Sequence, residues 1–201
     1  MSTRWLTRLE TLFTAGLVLG CLAALAAFAA SVLIAFVDLP NGLGIPLRAF
    51  GVPPTGIAAD GATLSNATIQ VTVRPGHPSP LTAGLYLLLW APPTATGLLA
   101  LLTLVRALRR ARSGDRALFS AVTVTLLRRL GWILILGSLA SALLGMVAEA
   151  LLASMLLATN VLFYPPSSAL LSTLVAGFIA LSVSEIVRRG LVLLEEVEGT
   201  V

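Results

Sequence analysis

The sequence predicts an all-α integral membrane protein: a four-transmembrane-helix bundle with a small extracytoplasmic β-containing loop between helices 1 and 2. Three observations predict it. The 201 residues are 57% hydrophobic and only 11% charged, with mean hydropathy +0.98, whereas a soluble domain is about 25% charged. The apolar residues fall in four runs, each near the ~20 residues that cross a bilayer. The basic residues gather at the ends of those runs, where positive charge sets orientation.

In chain order, Met1–Thr11 is a short polar start with Arg4 and Arg8. The first span covers 12–37. It is longer than the 7–15 apolar residues of a signal-peptide core, so it reads as an uncleaved anchor. Residues 38–80 form the extracytoplasmic loop, rich in Pro and Gly. Within it Ile69, Val71 and Val73 alternate with Thr68, Gln70 and Thr72, the period of a half-buried strand. Asp60-Gly61 is a turn signal, and residues near Ala62–Leu64 are the expected pairing strand.

The second span, 81–105, contains Pro92-Pro93. Proline removes an amide donor and clashes with the preceding turn, so a kink or break is expected there, with Thr hydroxyls meeting the loosened carbonyls. Residues 106–129 form a cytoplasmic Arg-rich loop holding Arg106, Arg109, Arg110, Arg112, Arg116, Arg128 and Arg129. Ser113-Gly114-Asp115 breaks it, and Ser120 is placed to cap a helix running through Val122 and Leu126. The third span is 130–149. Glu149 marks the outer interface, with Arg48, Arg74 or His77 as partners, and Ala150–Leu157 extends beyond the bilayer against the β loop. Pro165-Pro166 precedes the fourth span, 169–187, and the cytoplasmic tail 188–201 carries Glu195, Glu196 and Glu198.

With both termini inside, eleven of the thirteen basic residues are cytoplasmic and only Arg48 and Arg74 lie outside, a strong positive-inside bias. All thirteen are Arg, which points to a GC-rich coding sequence and a bacterial source. The chain is expected as a single multi-pass domain of the bacterial cytoplasmic membrane. A pI near 10.6 then reflects topogenic charge, with no direct nucleic-acid contact.

Small residues recur every four positions at Gly16, Gly20 and Ala24, at Gly137, Ser141 and Gly145, and at Ser172, Ala176, Ala180 and Ser184. Such ridges let helix backbones approach closely. Packing within one bundle is the favoured reading, with a homo-oligomer face as the other. Glu185 precedes Arg188 and Arg189 by three and four residues, an ion-pair spacing on a helix surface.

No catalytic constellation, metal set or cofactor motif is visible. Cys21 is alone, and one His makes no metal site. The residues SGDRALFSAVTVTLLRRLGWILILG and the ending EIVRRGLVLLEEVEGTV resemble the bacterial membrane family catalogued as domain of unknown function 2975. Gly114, Phe119, Leu127, Arg128, Gly190, Glu195 and Glu196 carry the resemblance, with Leu118 where the family often has Pro. It covers the second half well and the first half only in layout. It implies four spans and, because such proteins are often encoded beside a small helix-turn-helix regulator, a regulatory partner.

The expected function is therefore non-enzymatic: a sensor or tether for a cytoplasmic regulator. Its candidate docking residues are Phe119, Arg128, Arg129, Glu195, Glu196 and Glu198, with anionic lipid at the Arg-rich loop. The alternative is a small transporter or export accessory using the helix break at Pro92, Pro93, Thr94 and Thr96. Glu149 and His77 are the candidate outer-interface site.

Overall fold

The computed structural model describes residues 3–37, 44–50, 68–73, 77–112, 121–156 and 168–198, with side chains at 5, 7–37, 44–47, 72–73, 77–110, 122–156 and 170–193. These residues form α1 Thr3–Phe36, β1 Ile45–Phe50, β2 Thr68–Val73, α2 Pro80–Arg112, α3 Ala121–Leu156 and α4 Ser168–Glu198. Four stretches are long and apolar enough to cross a membrane: Thr7–Phe36, Pro80–Arg110, Val122–Leu156 and Leu170–Leu193. At 1.5 Å per residue the helices measure roughly 45–55 Å, well beyond a hydrocarbon core of about 30 Å.

The excess length carries the charge. α2 runs on through Arg106, Arg109, Arg110 and Arg112, α3 begins before Arg128 and Arg129, and α4 continues past residue 187 to Glu198. Much of the expected loop and tail is therefore helical. Hydropathy changes at those boundaries but helix propensity does not, because Leu, Ala, Arg and Glu all favour helix. α3 starts directly after Ser120, at the place expected for its cap; Ser120 itself lies outside the described residues.

α2 opens with Ser79 as its cap. The Ser79 hydroxyl accepts the Thr82 amide at 3.3 Å, and its carbonyl accepts the Ala83 amide at 3.1 Å. Pro80 fills the first helical position, where its missing N–H and fixed φ cost nothing. Of the kink or break expected at Pro92-Pro93, the break does not occur: α2 is one helix through both prolines. Long helical flanks hold the pair in place, and an apolar setting favours keeping every remaining backbone hydrogen bond. Thr96 donates its hydroxyl to the Pro92 carbonyl at 2.9 Å. That carbonyl is not one whose amide donor the prolines removed, so this bond does not repair the ladder.

β2 forms where the alternation placed it. It pairs antiparallel with β1, with Ile45 opposite Val73, Leu47 opposite Val71 and Ala49 opposite Ile69; Ala62–Leu64 lie outside the described residues. Ile45, Leu47 and Ala49 alternate along β1 opposite Val73, Val71 and Ile69 of β2. Pro46 is tolerated because each strand of a two-stranded sheet is an edge.

The chain divides into two compact units. The first contains Met1–Leu25, Pro92–Ala142 and Ser167–Val201; the second contains Ala26–Ala91 and Leu143–Pro166. In the second unit the apolar face of the sheet closes a core. Ile45 and Leu47 are buried with Ile34 and Ala35 of α1, Ala83 of α2 and Leu152 of α3, and Val73, Tyr86 and Leu156 pack around them. The Trp90 indole donates to Ser31 at 3.1 Å, while Ser31 donates to the Ala27 carbonyl, tying α2 to α1.

In the first unit small residues make the crossings. A Cβ at Gly177 would stand 2.7 Å from Ile135 and 3.2 Å from the Gly131 carbonyl oxygen, and one at Gly131 would stand 3.0 Å from the Gly177 carbonyl oxygen. α3 and α4 thus approach closely at Gly131 and Gly177, neither of which the four-residue ridges include. Of the ridge on α4, Ala180 and Ser184 are buried while Ser172 and Ala176 are exposed. Gly20 faces Leu98 and Gly137 faces Thr96, but a Cβ at Gly16 would meet nothing within 4 Å. Large apolar side chains point outward instead, among them Leu19, Leu25, Leu139, Phe178 and Ile186.

Candidate functional site

Two openings flank the Gly131–Gly177 crossing, both within the first unit. Helices that touch at one point diverge on either side of it, and side chains only partly fill the gaps. On the side away from the Arg-rich ends lies a cavity of about 340 Å³ at the proline pair. α2 contributes Pro93, Thr96 and Gly97, α3 contributes Leu134, Ser138, Ser141 and Ala142, and α4 contributes Leu170 and Thr173.

The polar lining of this cavity is made of hydroxyls without any charge. Thr96 donates to the Pro92 carbonyl, Ser138 to Ile135 at 3.0 Å and Ser141 to Gly137 at 2.6 Å. The Thr96 and Ser141 oxygens are 3.5 Å apart. A hydroxyl has one proton and two lone pairs. With the protons given to helix carbonyls, these three groups offer the cavity lone pairs. Such a lining suits a mostly apolar ligand carrying an O–H or N–H group. Thr94 is half-buried and does not line the cavity.

On the other side of the crossing an open groove of about 380 Å³ is lined by Val124, Arg128 and Trp132 of α3 and by Leu181, Ser184, Glu185 and Arg188 of α4. The α3 residues are four apart and the α4 residues follow a helical spacing, so each set forms one face. Arg188 grips Glu185 through Nε at 2.8 Å and Nη2 at 2.7 Å, and Arg189 Nε reaches the same carboxylate at 3.0 Å. The expected helix-surface ion pair is present. All three side chains are substantially exposed.

A second pair joins Glu10 of α1 to Arg109 of α2 at 3.2 Å. Glu10 carries no local signal of its role, because the pairing spans 99 positions and depends on the two helices lying side by side. Trp132 at the groove, and Ser138 and Thr173 at the cavity, likewise stand outside any local sequence motif. Arg128 and Trp132 at four-residue spacing, opposite Ser184, Glu185 and Arg188, are the signal that identifies the groove in retrospect.

Of the docking candidates, Arg128 and Arg129 are exposed on α3. Phe119 lies outside the described residues, and so do the side chains of Glu195, Glu196 and Glu198, although α4 itself reaches Glu198. Glu149 is half-buried, directly after the fully buried Ala148, and His77 is exposed ahead of α2. The Arg48 side chain and Arg74 are also outside the described set. Among the described residues no group of three or more His, Cys, Asp or Glu gathers to hold a metal.

Compared with family models, curated proteins and solved structures, the chain has no significant match in any of the three.

Proposed function

We propose that the chain is a non-enzymatic multi-pass protein of a bacterial cytoplasmic membrane that serves as a sensor or tether for a cytoplasmic regulator. The supporting observation is the charged end of the first unit. Glu10 and Arg109, then Arg128, then Glu185, Arg188 and Arg189 occupy the outer turns of four apolar helices. Outward-facing Leu, Ile and Phe below these turns suit contact with lipid, and buried Ser, Thr and Gly suit helix packing within it. Arg128 and Arg129 and the acidic turns at Glu195, Glu196 and Glu198 then offer a cytoplasmic face of mixed charge. The resemblance to the four-span family of unknown function supplies the class of partner, a small helix-turn-helix regulator.

The test is co-purification from membranes, comparing the full chain with one truncated after Gly190. A cytosolic protein held by the full chain and lost on truncation is the expected result. If neither retains one, the tether reading fails.

A second reading, a small transporter or export accessory, gains support from the cavity at Pro93 and Thr96. A ligand there would meet hydroxyl oxygens at the level of the proline pair. Replacing Gly97, Ser138 and Ser141 with Leu fills the cavity, and abolition of solute flux in proteoliposomes by these changes is the expected result. Unaltered flux removes this reading.

A further inference from the structure

We propose that the groove between α3 and α4 binds the phosphate group of an anionic membrane phospholipid; the proposal rests on the membrane-spanning reading above. The groove is the place where a lipid headgroup and a cationic pocket coincide. Arg128 makes no ion pair with any described residue. Arg188 uses its Nε hydrogen and one Nη2 hydrogen on Glu185, and a guanidinium carries five N–H donors, so three remain. Glu185 therefore fixes the plane of Arg188 without silencing it. Around the groove Arg128, Arg188 and Arg189 outnumber the single carboxylate of Glu185, leaving an excess of positive charge.

Trp132 stands one turn deeper than Arg128 on the same face of α3. An indole at that depth matches the headgroup level, where Trp is enriched and its N–H finds a polar partner. Val124 and Leu181 supply apolar walls. Basic pockets between spanning helices on the cytoplasmic side are suited to phosphate headgroups.

Glu195 lies seven residues beyond Arg188 in a helix that continues to Glu198, so the rise sets its backbone roughly 10 Å further along the axis. A phosphate approaching from the lipid layer meets no such restriction.

Full-length protein in neutral detergent is titrated with phosphatidylglycerol, with phosphatidylcholine of equal chain length and with inorganic phosphate, bound ligand being counted by native mass spectrometry. Phosphatidylglycerol is expected to bind in preference to both others. The R128Q/R188Q double variant is expected to bind it about 25-fold more weakly, about fivefold per arginine, and R128Q alone about fivefold more weakly. The charge-matched R4Q/R8Q variant is expected to bind as wild type.

Equal weakening in both double variants, or none in R128Q, overturns the groove assignment. Inorganic phosphate binding as tightly as the lipid makes free phosphate the ligand and overturns the lipid source. Loss of a cytosolic protein in R128Q with lipid binding intact assigns the groove to protein docking instead. Washing membranes with alkaline carbonate separates the two levels of failure. Release of the chain sinks the membrane-spanning reading itself, whereas retention without phosphatidylglycerol preference sinks only this site.

Discussion

A methyl group added at Gly177 would come 2.7 Å from the Ile135 side chain and 3.2 Å from the Gly131 carbonyl oxygen. The carbonyl cannot yield without moving α3, so Gly177→Ala is expected to destabilise by about 1–3 kcal/mol through overpacking. Gly16→Ala, placed in open space, is expected to be neutral or to add up to about 1 kcal/mol of helix propensity. Thermal unfolding in detergent distinguishes them, and equal losses in both variants would argue against the crossing. The sequence marked small residues as packing positions on three helices, but it could not say which ones meet. That choice depends on the rotation of each helix about its axis, which apolar residues on all sides leave open. The Glu185–Arg188–Arg189 pairing was readable because it lies within one helix turn; Glu10–Arg109 was not, because it joins two helices.

At the scale of the element, α2 shows where local rules hold and where they yield. Ser79 and Pro80 follow the rules for a helix start, and Ser79→Ala is expected to cost about 1 kcal/mol. Faster hydrogen exchange at Leu81, Thr82 and Ala83, with no change near Thr103, would register the frayed first turn; uniform exchange along α2 would show that the cap is idle. Pro92-Pro93 break the rules, yet the helix continues. Local sequence predicts a kink or break because proline deletes amide donors in any setting. The helix runs on through both prolines, and one turn further α3 packs against it where Gly137 faces Thr96. The same contrast appears in the sheet, where alternation located β2 but its partner β1 was settled by the core that Ile45 and Leu47 could join.

For the whole molecule, orientation is the property to test. Cys21 is the single cysteine, so a C21S background accepts one reporter at a time. S113C is expected to react with a membrane-impermeant maleimide only after cells are opened, and T55C to react in intact cells. The reverse pattern would invert the topology.

Four apolar helices and their charged ends were set by the sequence alone, because hydropathy and helix propensity are sums over neighbouring residues and need no partner. The tertiary structure alone decided that Gly131 meets Gly177, that hydroxyls from three helices line one cavity, and that Arg128 and Trp132 share a groove with Arg188. Each of these joins residues far apart in the chain. Each is fixed by helix rotation and crossing point, quantities that a uniformly apolar surface does not encode.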